Sequence, residues 1–146
     1  MNALLPLMVA VLSGIGVALQ PPTNATLSRA SGSPLLAALI SFAAGTLILL
    51  IAWAAVDRTS PATLKGLPAW AWFGGAYGAF FVAATAYAAP RLGLAQLLTI
   101  MIAMQLITAL ILDHFGLLAL ERTPVSASRI VGIMLVLGGA VLVRRG

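Results

Sequence analysis

An all-α integral membrane bundle of five transmembrane helices is the fold that this 146-residue sequence predicts, and three observations predict it. Hydrophobic residues make up 62% of the chain and charged residues 8%, with a mean hydropathy of +1.10; a soluble domain carries about a quarter charged residues. Apolar stretches of roughly 20 residues recur along the sequence, each long enough to cross about 30 Å of hydrocarbon as a helix. The runs are continuous and do not alternate in segments of about ten, so a β-barrel is excluded, and helices are left to satisfy the backbone within the bilayer. The spans use nearly the whole chain, so residues 1–146 read as a single transmembrane domain with no room for a soluble catalytic one.

Span one is expected from about Ala3 to Leu27, interrupted at Gln20-Pro21-Pro22-Thr23-Asn24, where two prolines remove backbone donors and should kink or break the helix. No basic n-region or small-residue cleavage site marks the opening as a removable signal peptide. After a turn at Arg29 to Ser33, span two is expected from Pro34 to Val56, with Pro34 suited to a first helical turn and Asp57-Arg58 marking the exit to water. Span three follows from about Ala69 to Ala89, opened by Trp70 and Trp72 at headgroup depth and stopped by Pro90-Arg91. Span four is expected from Leu92 to Leu112, ending at Asp113-His114-Phe115-Gly116, and span five from Ser128 to Val143 before Arg144-Arg145.

The basic residues divide evenly between the two sides. Arg58, Lys65, Arg122 and Arg129 fall on one, and Arg29, Arg91, Arg144 and Arg145 on the other. Orientation follows an excess of Lys and Arg on the cytoplasmic side, so this chain has no strong instruction about which way to insert. Both orientations are expected, and two opposed copies would form an inverted pair of ten spans with a solute site near the midplane, as in many secondary transporters.

Small residues recur at four-residue spacing, as in Ala10, Gly14 and Ala18, in Ala37, Ser41 and Gly45, and in Gly74 and Gly78. Such faces allow close helix packing in lipid, either within the chain or with a partner. Gly132 and Gly139, two turns apart in span five, suit a partner-chain contact.

No charged residue falls near the middle of a span, which removes the usual marker of an ion path. The candidate substrate-binding groups are therefore neutral: Asn24 and Gln20 at the double proline, Gln105 and Thr108 on one face of span four, and Tyr77 in span three. Two roles fit Asn24, a cavity-facing group at a broken turn or a cap at a helix end. Gln105 equally suits a hydrogen bond to a neighbouring helix. Tyr77 and Tyr87 have roughly opposed helical phases, so one suits the cavity and the other the interface. Asp113 with His114 suits ion or proton coupling, or the anchoring of a helix end.

Enzyme chemistry finds no footing in one His, no metal-ligand pair and no G-x-S-x-G, and no metal or other cofactor is expected. Zero cysteines exclude a thiolate metal site. The net charge of +5 comes from basic residues scattered among the connections, which suits lipid phosphates and not nucleic acid.

Gln20-Pro21-Pro22-Thr23-Asn24-Ala25 with Leu27, Ser41-Phe42 with Gly45, Gly74-Gly75 with Gly78, Pro90-Arg91-Leu92-Gly93, Gln105, Asp113-His114-Phe115-Gly116, and Arg129 with Gly132 and Gly139 occur in this order across the spans. In this the chain resembles the short five-span, YdcZ-like branch of the drug/metabolite transporter superfamily. The resemblance implies half of a ten-helix transporter in a bacterial inner membrane. It does not imply a substrate. Four-span multidrug exporters of the superfamily carry a proton-binding glutamate in their first helix, and here span one has no carboxylate. The expected function is transport of a small organic solute by alternating access in an antiparallel, dual-topology homodimer. The other reading is a non-transporting subunit that stabilises or regulates a second membrane protein.

Overall fold

The computed structural model describes residues 4–145, and among these every regular element is helical. The expected start at Ala3 lies outside the described residues. Five long helices run in order: α1 (Leu4–Ser31), α2 (Pro34–Ala52), α3 (Gly74–Leu92), α4 (Leu94–Phe115) and α5 (Ala127–Arg145). They form two compact units, Met1–Arg91 and Leu92–Gly146.

In the first unit α1 and α2 form a helical hairpin. Gly32 takes φ of +72° at the turn. Ser33 then caps α2, its hydroxyl accepting from the Leu36 N–H at 3.2 Å, and Pro34 follows at the first helical position, where its missing N–H has no intrahelical partner to lose. The α-helix becomes a π-turn over Trp53–Asp57 and stops at Arg58, whose φ is +56° and whose N–H donates to the Trp53 carbonyl at 2.9 Å. The Trp53 indole donates to the Thr59 carbonyl at 3.2 Å, and Asp57 accepts from the Thr59 N–H and hydroxyl. The exit expected at Asp57-Arg58 is thus a hydrogen-bonded stop.

α1 is longer than expected and is not broken. It continues through Pro21 and Pro22 to Ser31, so the predicted interruption is corrected. Each proline withholds one i→i−4 donor, which leaves the Val17 and Ala18 carbonyls without their helical partners. The flanking threonines bond to other carbonyls, Thr23 donating its hydroxyl to that of Leu19 and Thr26 to that of Pro22 at 3.0 Å. The two carbonyls that the prolines free gain no partner from them. Pro90 likewise fails to stop α3, which runs on to Leu92 and ends at Gly93 with φ of +80°. There the Arg91 guanidinium donates to the Tyr87 carbonyl at 2.6 Å.

The buried positions of α3 are Val82, Thr85, Ala86 and Ala89, a single stripe at helical spacing. Gly78 extends that stripe. A Cβ there would lie 3.1 Å from Phe42 Cζ, so the α2 ring depends on glycine for its approach. Gly14, Gly45, Gly74, Gly132 and Gly139 have nothing within 4 Å of an added Cβ, so the faces they mark are open.

In the second unit α4 and α5 pack against each other, joined by a connection folded back onto the end of α4. Three helical segments have the length and hydropathy to cross a membrane, Leu4–Ser31, Pro34–Asp57 and Leu94–Phe115, while the apolar part of α5, Ala127–Val143, is shorter. α3 is rich in Gly and Ala and is not among these three. Around α1, Leu5, Val9, Leu12, Ile15 and Leu19 are all more than half exposed. A helix apolar on every side is solvated by lipid or by other helices.

Candidate functional site

Gln20 and Asn24 lie one turn apart on the same face of α1, bracketing the two prolines. Gln20 lines a groove of about 170 Å³ with Ser41, Phe42, Gly45 and Thr46 of α2. Asn24 is only 2% exposed, and its amide nitrogen has no hydrogen-bond partner. Leaving a buried donor unpaired costs about 1–3 kcal/mol. This amide is therefore a standing demand for an acceptor, nearly two turns on from the Val17 and Ala18 carbonyls that proline has stripped of donors. Tyr77 is 67% exposed and lies beside Phe73, with ring centroids 6.4 Å apart; it is not among the residues lining that groove.

The other candidates belong to the second unit. Gln105 and Thr108 are exposed on α4, and the Thr108 hydroxyl is turned back to the Met104 carbonyl at 2.8 Å. Asp113 and His114 hold the connection to α5. An Asp113 carboxylate oxygen pairs with Arg129 Nη1 at 3.3 Å, and the Asp113 carbonyl accepts from the Thr123 N–H at 2.8 Å. His114 Nδ1 accepts from the Val125 N–H at 3.2 Å, which calls for a neutral ring with its hydrogen on Nε2, and the His114 carbonyl accepts from Arg122 Nε at 3.1 Å. Asp113, Arg129 and Gly132 border a groove of about 310 Å³ between α4 and α5, whose other walls are aliphatic. Neither Gln105 nor Thr108 is among its lining residues.

Gln20 and Asn24 are thus brought together, and so are Asp113 and His114, within separate units. Sequence reasoning missed three partners. Ser41 and Thr46 complete the polar edge of the Gln20 groove, and Arg129 pairs with Asp113. The first two were legible as hydroxyls facing a small-residue stripe. The third was legible as an acid and a base at adjoining ends of consecutive spans.

Long helices with aliphatic surface all round, charges confined to helix ends, and a buried amide at a proline-weakened turn define a polytopic helical membrane protein. The family described as "putative inner membrane exporter, YdcZ" matches residues 5–142, and the chain belongs to it. It is accordingly an inner-membrane protein of the transporter class, as the resemblance implied. No curated protein and no solved structure matches the chain.

Proposed function

We propose that this protein exports a small organic solute by alternating access, with the path enclosed between two oppositely inserted copies. The observation that carries the reading is the Asn24 amide, buried and unpaired beside Pro21 and Pro22 in a chain of an exporter family. A turn with two missing backbone bonds bends more easily than a complete one, and its free carbonyls and the amide supply acceptors and a donor for a polar solute. Gln20 extends this site along α1; Gln105 and Thr108, exposed on α4, and Tyr77, exposed on α3, are the further polar groups proposed to meet solute. With no carboxylate near the middle of a span, the site suits neutral, zwitterionic or modestly polar solutes better than permanent cations. Dual insertion is supported by the even division of basic residues, and pairing by the open faces at Gly14, Gly132 and Gly139.

The test joins topology to transport. The chain has no cysteine, so a cysteine placed in the α2–α3 connection by Thr63→Cys is unique. About half of the population should react with an impermeant maleimide before the membrane is opened and the rest only afterwards. Reaction from one side alone would rule out dual insertion. The same protein, purified as a dimer and placed in liposomes, should exchange solute without added protons or metal ions. A stable dimer that moves nothing and copurifies with another membrane protein would favour the non-transporting subunit.

A further inference from the structure

The last turns of α1 and α3 and the first turn of α2 enclose a cavity of about 440 Å³ at one end of the first unit. Ala25 and Ala86 form its floor, both almost fully buried, and Arg29 and Arg91 stand at its rim with Gly32 and Pro34. α1 has 28 residues, or about 42 Å at the helical rise, against about 30 Å of hydrocarbon. Arg29, in its final turn, therefore belongs at headgroup depth. Pro34 opens α2 and Arg91 nearly closes α3, which places the rest of the rim at the same boundary.

Neither guanidinium has a carboxylate. Among the described residues the only salt bridge is Arg129 with Asp113. Asp57, the sole acid in residues 1–91, closes the π-turn at the opposite end of α2, about 35 Å along the helix from Pro34. Both arginines are nevertheless held in place. Arg91 lies 3.7 Å from the Tyr87 ring centroid and donates to the Tyr87 carbonyl, while Arg29 donates to the Thr26 hydroxyl at 3.1 Å. Each of these bonds uses one of five guanidinium donors, which leaves most of both forks for an oxyanion. The positive end of the α2 dipole is opposed there by the negative ends of α1 and α3, so the attraction for an anion comes from the two guanidinium groups. Arg58, with one donor likewise spent on the Ala54 carbonyl at 2.7 Å, does not line this cavity.

We infer that this cavity binds a phosphate oxyanion, supplied by the headgroup of an anionic phospholipid or, as the same chemistry in solution, by free phosphate. Two arginine forks at the rim of one cavity offer donors of the kind that bind phosphate oxygens, and the alanine floor presents an apolar surface beneath them. The test is thermal unfolding of the purified full chain in neutral detergent, titrated with phosphatidylglycerol, phosphatidylcholine or inorganic phosphate. Phosphatidylglycerol should raise the midpoint saturably and phosphatidylcholine should not. The Arg29→Gln/Arg91→Gln pair should weaken half-saturation about thirty-fold, while Arg58→Gln/Lys65→Gln should leave it nearly unchanged. A response to inorganic phosphate that needs the same two arginines would assign a free oxyanion, and its absence would assign the lipid. Equal responses to the two lipids, or equal losses in the two double variants, would overturn the site. If the double variant does not fold, the single variants Arg29→Lys and Arg91→Lys decide: they keep the charge and lose the fork, and undiminished binding in both would also overturn it.

Discussion

Asn24 and Gln20 share a face of α1, yet burial separates their roles. Gln20 borders an open groove, whereas the Asn24 amide is enclosed and has no acceptor. Replacing an unpaired buried polar group with an apolar one of similar size relieves a cost and leaves no partner stranded. Asn24→Leu should therefore melt no lower than the native protein while weakening solute binding about ten- to a hundred-fold. Paired melting and transport assays check this, and a large fall in stability with normal transport would make Asn24 an interhelical tie instead. The position was legible in the sequence because two prolines precede it. Its burial was not, because enclosure depends on what α1 packs against. The Asp113–Arg129 pair was half legible for a similar reason: the acid stood out at a span end, but its partner is 16 residues on, across a folded connection.

Among the elements, α1 departs most from its sequence reading. Two adjacent prolines suggest an interruption, since each removes a donor and crowds the preceding turn. The helix instead passes through them, with the Thr23 and Thr26 hydroxyls bonded to nearby carbonyls. α3 likewise runs on through Pro90 to Leu92, although the proline frees the Ala86 carbonyl. Proline thus marks a turn that lacks a backbone bond, and it need not mark a helix end. The ends of α2 were easier to read, because Ser33-Pro34 and Asp57-Arg58 carry their own capping chemistry. The Pro21→Ala/Pro22→Ala variant should restore two backbone bonds and stiffen α1. Amide exchange around residues 17–24 should slow and the melting midpoint rise, while transport turnover falls several-fold. Unchanged turnover in a demonstrably stiffer α1 would remove this turn from the transport cycle.

For the whole molecule, the helical class could be read from the length and continuity of the apolar runs. α3 was harder, since its Gly and Ala content lowers its hydropathy and its role rests on packing, as Gly78 against Phe42 illustrates. Orientation is a property of the complete chain, and a small change in loop charge should tip it. Ala62→Lys with Leu67→Lys adds two bases to one side of an even division, so insertion should become one-directional and transport by that variant alone should fall at least about ten-fold. Co-expression with a chain biased the other way by Ala30→Lys should restore activity. Full activity from a uniformly oriented population, measured by labelling and transport on the same membranes, would exclude the antiparallel pair.

The three acidic residues, Asp57, Asp113 and Glu121, all fall at span ends or in connections on the side that also holds four bases, so in the five-span topology one end of the chain carries +1 and the other +4. A single inserted copy is thus an electric dipole across the membrane, and each elementary charge moved through the potential changes its energy by about 2.3 kcal/mol per 100 mV. In the proposed antiparallel pair the two dipoles cancel and both faces carry +5. Voltage then has no grip on which way the empty carrier faces, and a neutral solute would be driven by its own concentration gradient alone.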